Sequence, residues 1–143
     1  MRYNLGIDIG STTMKFAVMN DDGKIVFTHY QRHNADIVGT ALCIAELMRQ
    51  SLGDCELSLT VTGSVGMGYA QRLGWPFEQE VVAAARMIEQ KHPDVRVMID
   101  MGGEDSKMVF FSESRIPDIR MNGSCAGGTG AFIDQTAALL YVL

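Results

Sequence analysis

The sequence lacks any clustering of lysine or arginine: across 143 residues, 12 basic side chains stand against 17 acidic ones, a formal charge of −5. Proteins that grip DNA or RNA do so with a basic patch, so this balance argues against nucleic acid as a partner. Nor does the chain hold an apolar run near the roughly 20 residues that a membrane-crossing helix requires. Met1-Arg2-Tyr3-Asn4 passes at once into a strand-like run, without the apolar stretch and small-residue cleavage site of a signal peptide. The expected compartment is the cytoplasm, with no membrane partner. Cysteine is scarce. Cys43, Cys55 and Cys125 are odd in number and widely spaced, a poor disulfide framework that agrees with a reducing compartment. Cys43 and Cys55, in and just after a helix-like segment, read as small packing residues. His29, His33 and His92 have no metal-like spacing and read as ordinary surface or strand residues. Two common phosphate motifs are missing as well: there is no G-x-x-x-x-G-K-[ST], and no G-x-G-x-x-G opening a helix after the first strand.

What is present is an α/β pattern. Tyr3–Ile9, Met14–Met19 and Lys24–Gln31 read as strands, the last two joined by the turn Asn20-Asp21-Asp22-Gly23, so an antiparallel meander is expected. Asp36 offers a helix N-cap, Ile37, Ala41, Ala45, Met48 and Leu52 recur at helical spacing, and Gly53 closes the helix. Leu57, Leu59 and Val61 alternate with polar residues as in a half-buried strand. The spacing predicts helices over Met67–Leu73 and Glu80–Lys91, the latter stopped by Pro93, and a strand over Val95–Ile99. Trp75-Pro76-Phe77 reads as a packed connection.

An internal echo carries the chemistry. Leu5-Gly6-Ile7-Asp8-Ile9-Gly10-Ser11-Thr12-Thr13-Met14-Lys15 matches Val97-Met98-Ile99-Asp100-Met101-Gly102-Gly103-Glu104-Asp105-Ser106-Lys107. A strand that ends in Asp and turns on Gly exposes backbone N–H groups with no side chain in the way, and such concavities bind phosphate oxygens. Ser11, Thr12 and Thr13 add hydroxyls and Lys15 a positive charge. Asp8 and Asp100, expected to face one another across a cleft, suit Mg2+, which takes one or two carboxylates beside phosphates; one of them would orient the attacking water. Glu104 and Lys107 read either as phosphate-side or lobe-contact residues or as solvated charges. A single Asp-x-Gly turn is weak evidence, whereas two in matched context point to ATP with Mg2+.

At these residues the chain resembles the superfamily of acetate and sugar kinases, heat-shock chaperone ATPases and actin. The resemblance implies an actin-like (ribonuclease H-like) ATPase fold: a first lobe over residues 1–93, its meander extended by parallel strands and helices, then the beginning of a similar second lobe over 94–143. The segment Asn122-Gly123-Ser124-Cys125-Ala126-Gly127-Gly128-Thr129-Gly130 precedes a helix with Ile133, Ala137 and Leu140 at helical spacing. A Gly- and Thr-rich helix start is friendly to anions and, just ahead of it, to a thiolate at Cys125. Joined to the Asp100–Lys107 motif, Val61-Thr62-Gly63-Ser64 and Glu80 at a helix start, it resembles the activator (component A) of 2-hydroxyacyl-CoA dehydratases. The ATPase subunits of benzoyl-CoA reductase share that family.

The resemblance implies a homodimer that holds one [4Fe-4S] cluster between its subunits and uses ATP hydrolysis to drive an electron onto a dehydratase or reductase partner. Cys125 would be one cluster ligand. Gly10 to Thr13, Gly102 and Gly103 would hold phosphates, with Gly127 and Gly128 on the cofactor side. The family's second cysteine and adenosine motif have no match, so the chain is expected to be a piece of a longer protein. Two rival readings remain: a small-molecule kinase of the same superfamily, and a nucleotide-dependent interaction module without catalysis.

Overall fold

The computed structural model describes residues 2–103, 105–111, 118–122 and 129–141. It divides into two compact units, Met1–Glu80 and Val81–Leu143. In the first, β1 (Arg2–Ile9), β2 (Thr13–Met19) and β3 (Ile25–Arg32) form the expected meander. Helix α1 (Ile37–Leu52), strand β4 (Glu56–Thr62) and helix α2 (Gly66–Leu73) follow. The sheet order is β3-β2-β1-β4, with β4 parallel to β1 and the other pairs antiparallel.

Alternation explains the core. Leu5, Ile7 and Ile9 of β1 and Met14, Phe16 and Val18 of β2 are buried on one face, where Ile44, Met48, Val61 and Ala70 meet them. Burying such a side chain contributes about 1.5–3 kcal/mol, so this cluster is what holds β1 and its C-terminal loop in place. Helix α1 begins at Asp36, whose side chain accepts from Gly39 N–H, and ends at Gly53 (φ 71°), as expected. Its buried line runs through Thr40, Ile44 and Met48; Ile37, Ala41, Ala45 and Leu52 flank that line and are half-buried. Cys43 corrects the sequence reading: it is exposed, turned from the core by the helical period, and Cys55 is half-buried. Phe77 bridges to Val61 along the outer edge of β4, while Trp75 is 38% exposed.

The second unit holds most of α3 (Glu80–Lys91) and an antiparallel sheet in the order β5 (Val97–Met101), β6 (Ser106–Phe110), β7 (Asp118–Met121), then α4 (Gly130–Leu139). Strand β5 starts two residues later than expected, because Val95 N–H closes a turn on His92 O. Strand β7 was not foreseen. Lys107 and Val109 point to the same face of β6 and both are buried. No residue of α4 is buried, and Phe132 and Ile133 are half exposed. Among the described residues no helix is long and apolar enough to cross a membrane.

Candidate functional site

The first loop of the echo is a tight hairpin. Gly10 N–H donates to Thr13 O at 3.0 Å, and the β1–β2 register sets Asp8 opposite Lys15. Lys15 Nζ lies 2.7 Å from Asp8 Oδ2 and 5.7 Å from the centre of the Tyr30 ring, so the ammonium is held from two sides. With 38% and 21% of their side chains exposed, Lys15 and Asp8 form a half-exposed pair. Ser11 and Thr12 are exposed at the tip, and among the described residues their N–H groups have no backbone acceptor.

Among the described residues Asp8 Oδ1 is buried with no hydrogen-bond partner, and so is the hydroxyl of Thr62, which stands opposite Asp8 in the β1–β4 register. Buried polar atoms are nearly always satisfied, so two adjacent exceptions mark a place built for something else. Gly63 follows Thr62 at φ +94°, where a Cβ would overlap Ile9 O and Asp8 Oδ1. Val65 N–H then donates to Ile9 O at 3.0 Å, tying the end of β4 to the end of β1. The oxygen pair at Asp8 and Thr62 fits a hard cation such as Mg2+ with bound waters.

The second hairpin repeats the backbone but not the side chains. Gly102 N–H donates to Asp105 O at 2.9 Å, and Asp100 stands opposite Lys107 in the β5–β6 register. Lys107 is buried and gives its ammonium to Asp105 Oδ2 at 3.0 Å; it is therefore not a solvated surface charge. No hydrogen bond to the Asp100 carboxylate occurs among the described residues, and Gly103 is exposed. Helix α4 starts against the second hairpin. Gly130 N–H donates to Gly102 O at 2.8 Å and Ala131 N–H to Gly103 O at 3.1 Å. Phe132 and Ile133 N–H both turn to Thr129 O. The N–H groups of Gly130 to Ile133 are thus taken by the hairpin and by the helix itself. Thr129 is fully buried, and among the described residues its hydroxyl has no partner.

Glu104, Cys125, Gly127 and Gly128 lie outside the described residues. Among the described residues no group of three or more His, Cys, Asp or Glu side chains is placed to hold a metal. The sequence reading missed His33, which is buried and bonded to Gly10 O at 3.1 Å rather than lying on the surface. The signal was in the register: a β2–β3 pair that places Thr13 opposite Arg32 brings the next residue beside Thr12.

Comparison with known proteins covers nearly the whole chain. The family model described as the BadF/BadG/BcrA/BcrD ATPase family matches residues 5–143. The (R)-2-hydroxyglutaryl-CoA dehydratase activating ATPase of Acidaminococcus fermentans is 28% identical over 98% of this chain and 54% of its own length. The crystal structure of that organism's (R)-2-hydroxyglutaryl-CoA dehydratase component A superposes with a TM-score of 0.82 at 27% identity, over 99% of this chain and 55% of the other. The activator of the 2-hydroxyisocaproyl-CoA dehydratase from Clostridium difficile, solved with bound ADPNP, gives 0.79 at 27% identity over 97% and 52%. The chain therefore spans about half the length of the relatives it matches. The fold is that of the actin-like ATPases, as the paired hairpins implied.

Proposed function

From the premise that this chain belongs to the BadF/BadG/BcrA/BcrD ATPase family, we propose that it carries the phosphate-binding part of an ATP-hydrolysing activator. In this reading the whole protein delivers a low-potential electron through a [4Fe-4S] cluster to a 2-hydroxyacyl-CoA dehydratase-type partner. The observation that supports the ATP site most is the first hairpin, with Asp8 Oδ1 buried and unbonded, Lys15 on the other oxygen, and two amides unclaimed at the tip. The activator role is supported by the names of the relatives, among them one solved with an ATP analogue.

Each residue then has a stated task. Ser11 and Thr12 donate N–H and hydroxyl groups to phosphate oxygens. Lys15 is half-exposed and long enough to share its charge between Asp8 and a phosphate. Asp8, with the Thr62 hydroxyl beside it, would hold Mg2+ and its waters; the ion would neutralise phosphate charge when bound. Gly102 and Gly103 form the second phosphate loop, and Asp100, with no partner among the described residues, is the carboxylate available to orient water. Cys125 is the residue of this chain that would ligate the cluster, which would serve as the redox centre of a homodimer.

The test is iron and acid-labile sulfide per chain on the gene product purified without oxygen, beside a Cys125→Ala variant. Cluster iron that is lost in the variant supports the activator reading. Iron-free protein that still hydrolyses ATP overturns the redox role and leaves a small-molecule kinase or a nucleotide-switched interaction module.

A further inference from the structure

The turn after β3 is built around one buried ring. His33 is 6% exposed and uses both of its nitrogens. Ala35 N–H, which can only donate, lies 3.1 Å from Nδ1; Gly10 O, which can only accept, lies 3.1 Å from Nε2. The two bonds together fix a neutral ring with its proton on Nε2. The backbone joins in: His33 N–H donates to Thr12 O at 3.2 Å, and Asp36 N–H returns to His33 O at 2.8 Å. Asn34 and Ala35 are both left-handed, at φ 48° and 66°. Ala35 has neither glycine's freedom nor a polar side chain to compensate, so strain is retained there. Retained strain of this kind is usual where the surroundings dictate a geometry that function needs.

The geometry of the peptide unit gives the arrangement its meaning. The Gly10–Ser11 peptide bond is trans, so the Gly10 carbonyl and the Ser11 N–H point in opposite directions from one plane. Holding Gly10 O against the imidazole turns Ser11 N–H away from it. Thr12 O is held back in the same way by the His33 main chain. Two of the loop's carbonyls, those of Gly10 and Thr12, are thereby tied down.

We propose that His33 is a positioning residue of the nucleotide site, whose Nε2–H and main-chain N–H fix the carbonyls of the Gly10–Thr13 loop so that its amides face an anionic phosphate. The proposal rests on the reading of that loop as a phosphate cradle. It adds a residue from the turn after β3 that acts through Gly10 and Thr12.

The test compares His33→Gln, which keeps a side-chain N–H near the Nε2 position, with His33→Asn, which keeps only an acceptor near Nδ1. MgATP affinity is measured by calorimetry on the full chain, with thermal midpoints and amide exchange of Gly10 to Thr13 recorded without nucleotide. His33→Asn is expected to weaken MgATP about tenfold, the equivalent of one hydrogen bond of about 1.4 kcal/mol, and His33→Gln to recover most of that loss. Loop amides should exchange faster in the Asn variant than in the Gln variant. Equal affinities for the two variants, or affinities that merely follow their midpoints, overturn the positioning role. If wild type binds no MgATP, the phosphate-cradle reading fails by itself, and the exchange comparison still decides whether His33 holds the loop.

Discussion

Lys15 Nζ sits 2.7 Å from Asp8 Oδ2, across the β1–β2 hairpin, while the other oxygen of the same carboxylate is buried and unbonded. The matching lysine of the second hairpin, Lys107, turns instead to Asp105, and Asp100 is left without a partner among the described residues. One sequence motif thus yields two electrostatic environments. In the first the strand-end carboxylate is half-neutralised; in the second it is not.

That difference predicts what Asp8→Asn will do. The substitution keeps the shape and removes a charge whose Oδ1 is already unsatisfied, and the lost pair with half-exposed Lys15 is a weak one. The nucleotide-free thermal midpoint should hold or rise, while ATP turnover by the whole protein falls roughly 100-fold or more, in line with loss of a preorganised electrostatic group. A large fall in midpoint with turnover intact would contradict this assignment.

Gly63→Ala should be among the most damaging single-methyl changes in the first unit. The position has φ +94°, and the added Cβ would overlap Ile9 O and Asp8 Oδ1. A loss of about 2 kcal/mol or more in chemical denaturation is expected. Gly68→Ala in α2 is the control, since its Cβ meets nothing within 4 Å. There a gain of about 0.5–1 kcal/mol is expected, as for other helical glycines.

Asp105→Ala removes a carboxylate from a buried ammonium and should destabilise the second unit by about 1–2 kcal/mol. Asp118→Ala, which breaks an exposed pair with Arg120, should change stability by less than about 0.5 kcal/mol. Denaturant midpoints for both variants check the contrast.

Much of this was legible in the sequence, for reasons that can be named. Strict alternation in β1 and β2, the Asn20–Gly23 turn and the Asp36 cap each carry a local physical rule, and the meander and α1 follow from them. The two hairpins could be read because Asp-x-Gly after an apolar strand has a fixed backbone consequence. Three things could not. The bond from His33 to Gly10 joins residues 23 apart and depends on the β2–β3 register. The choice of Lys107 between Asp100 and Asp105 is made by burial on one face of β6. The capture of the α4 amides by Gly102 and Gly103 is a tertiary contact that no local pattern announces.

The measurement that bears most directly on the central claim is calorimetric titration of the chain with ATP, in the presence of Mg2+ and then of a chelator. Adenosine is titrated in parallel, and Asp8→Asn serves as the comparison. A site built from Ser11 and Thr12 amides, Lys15 and the Asp8 carboxylate predicts one MgATP per chain, affinity that falls when the metal is removed or Asp8 is changed, and no binding of adenosine. Adenosine binding as tightly as MgATP, or Asp8→Asn binding as tightly as wild type with and without Mg2+, would contradict the account.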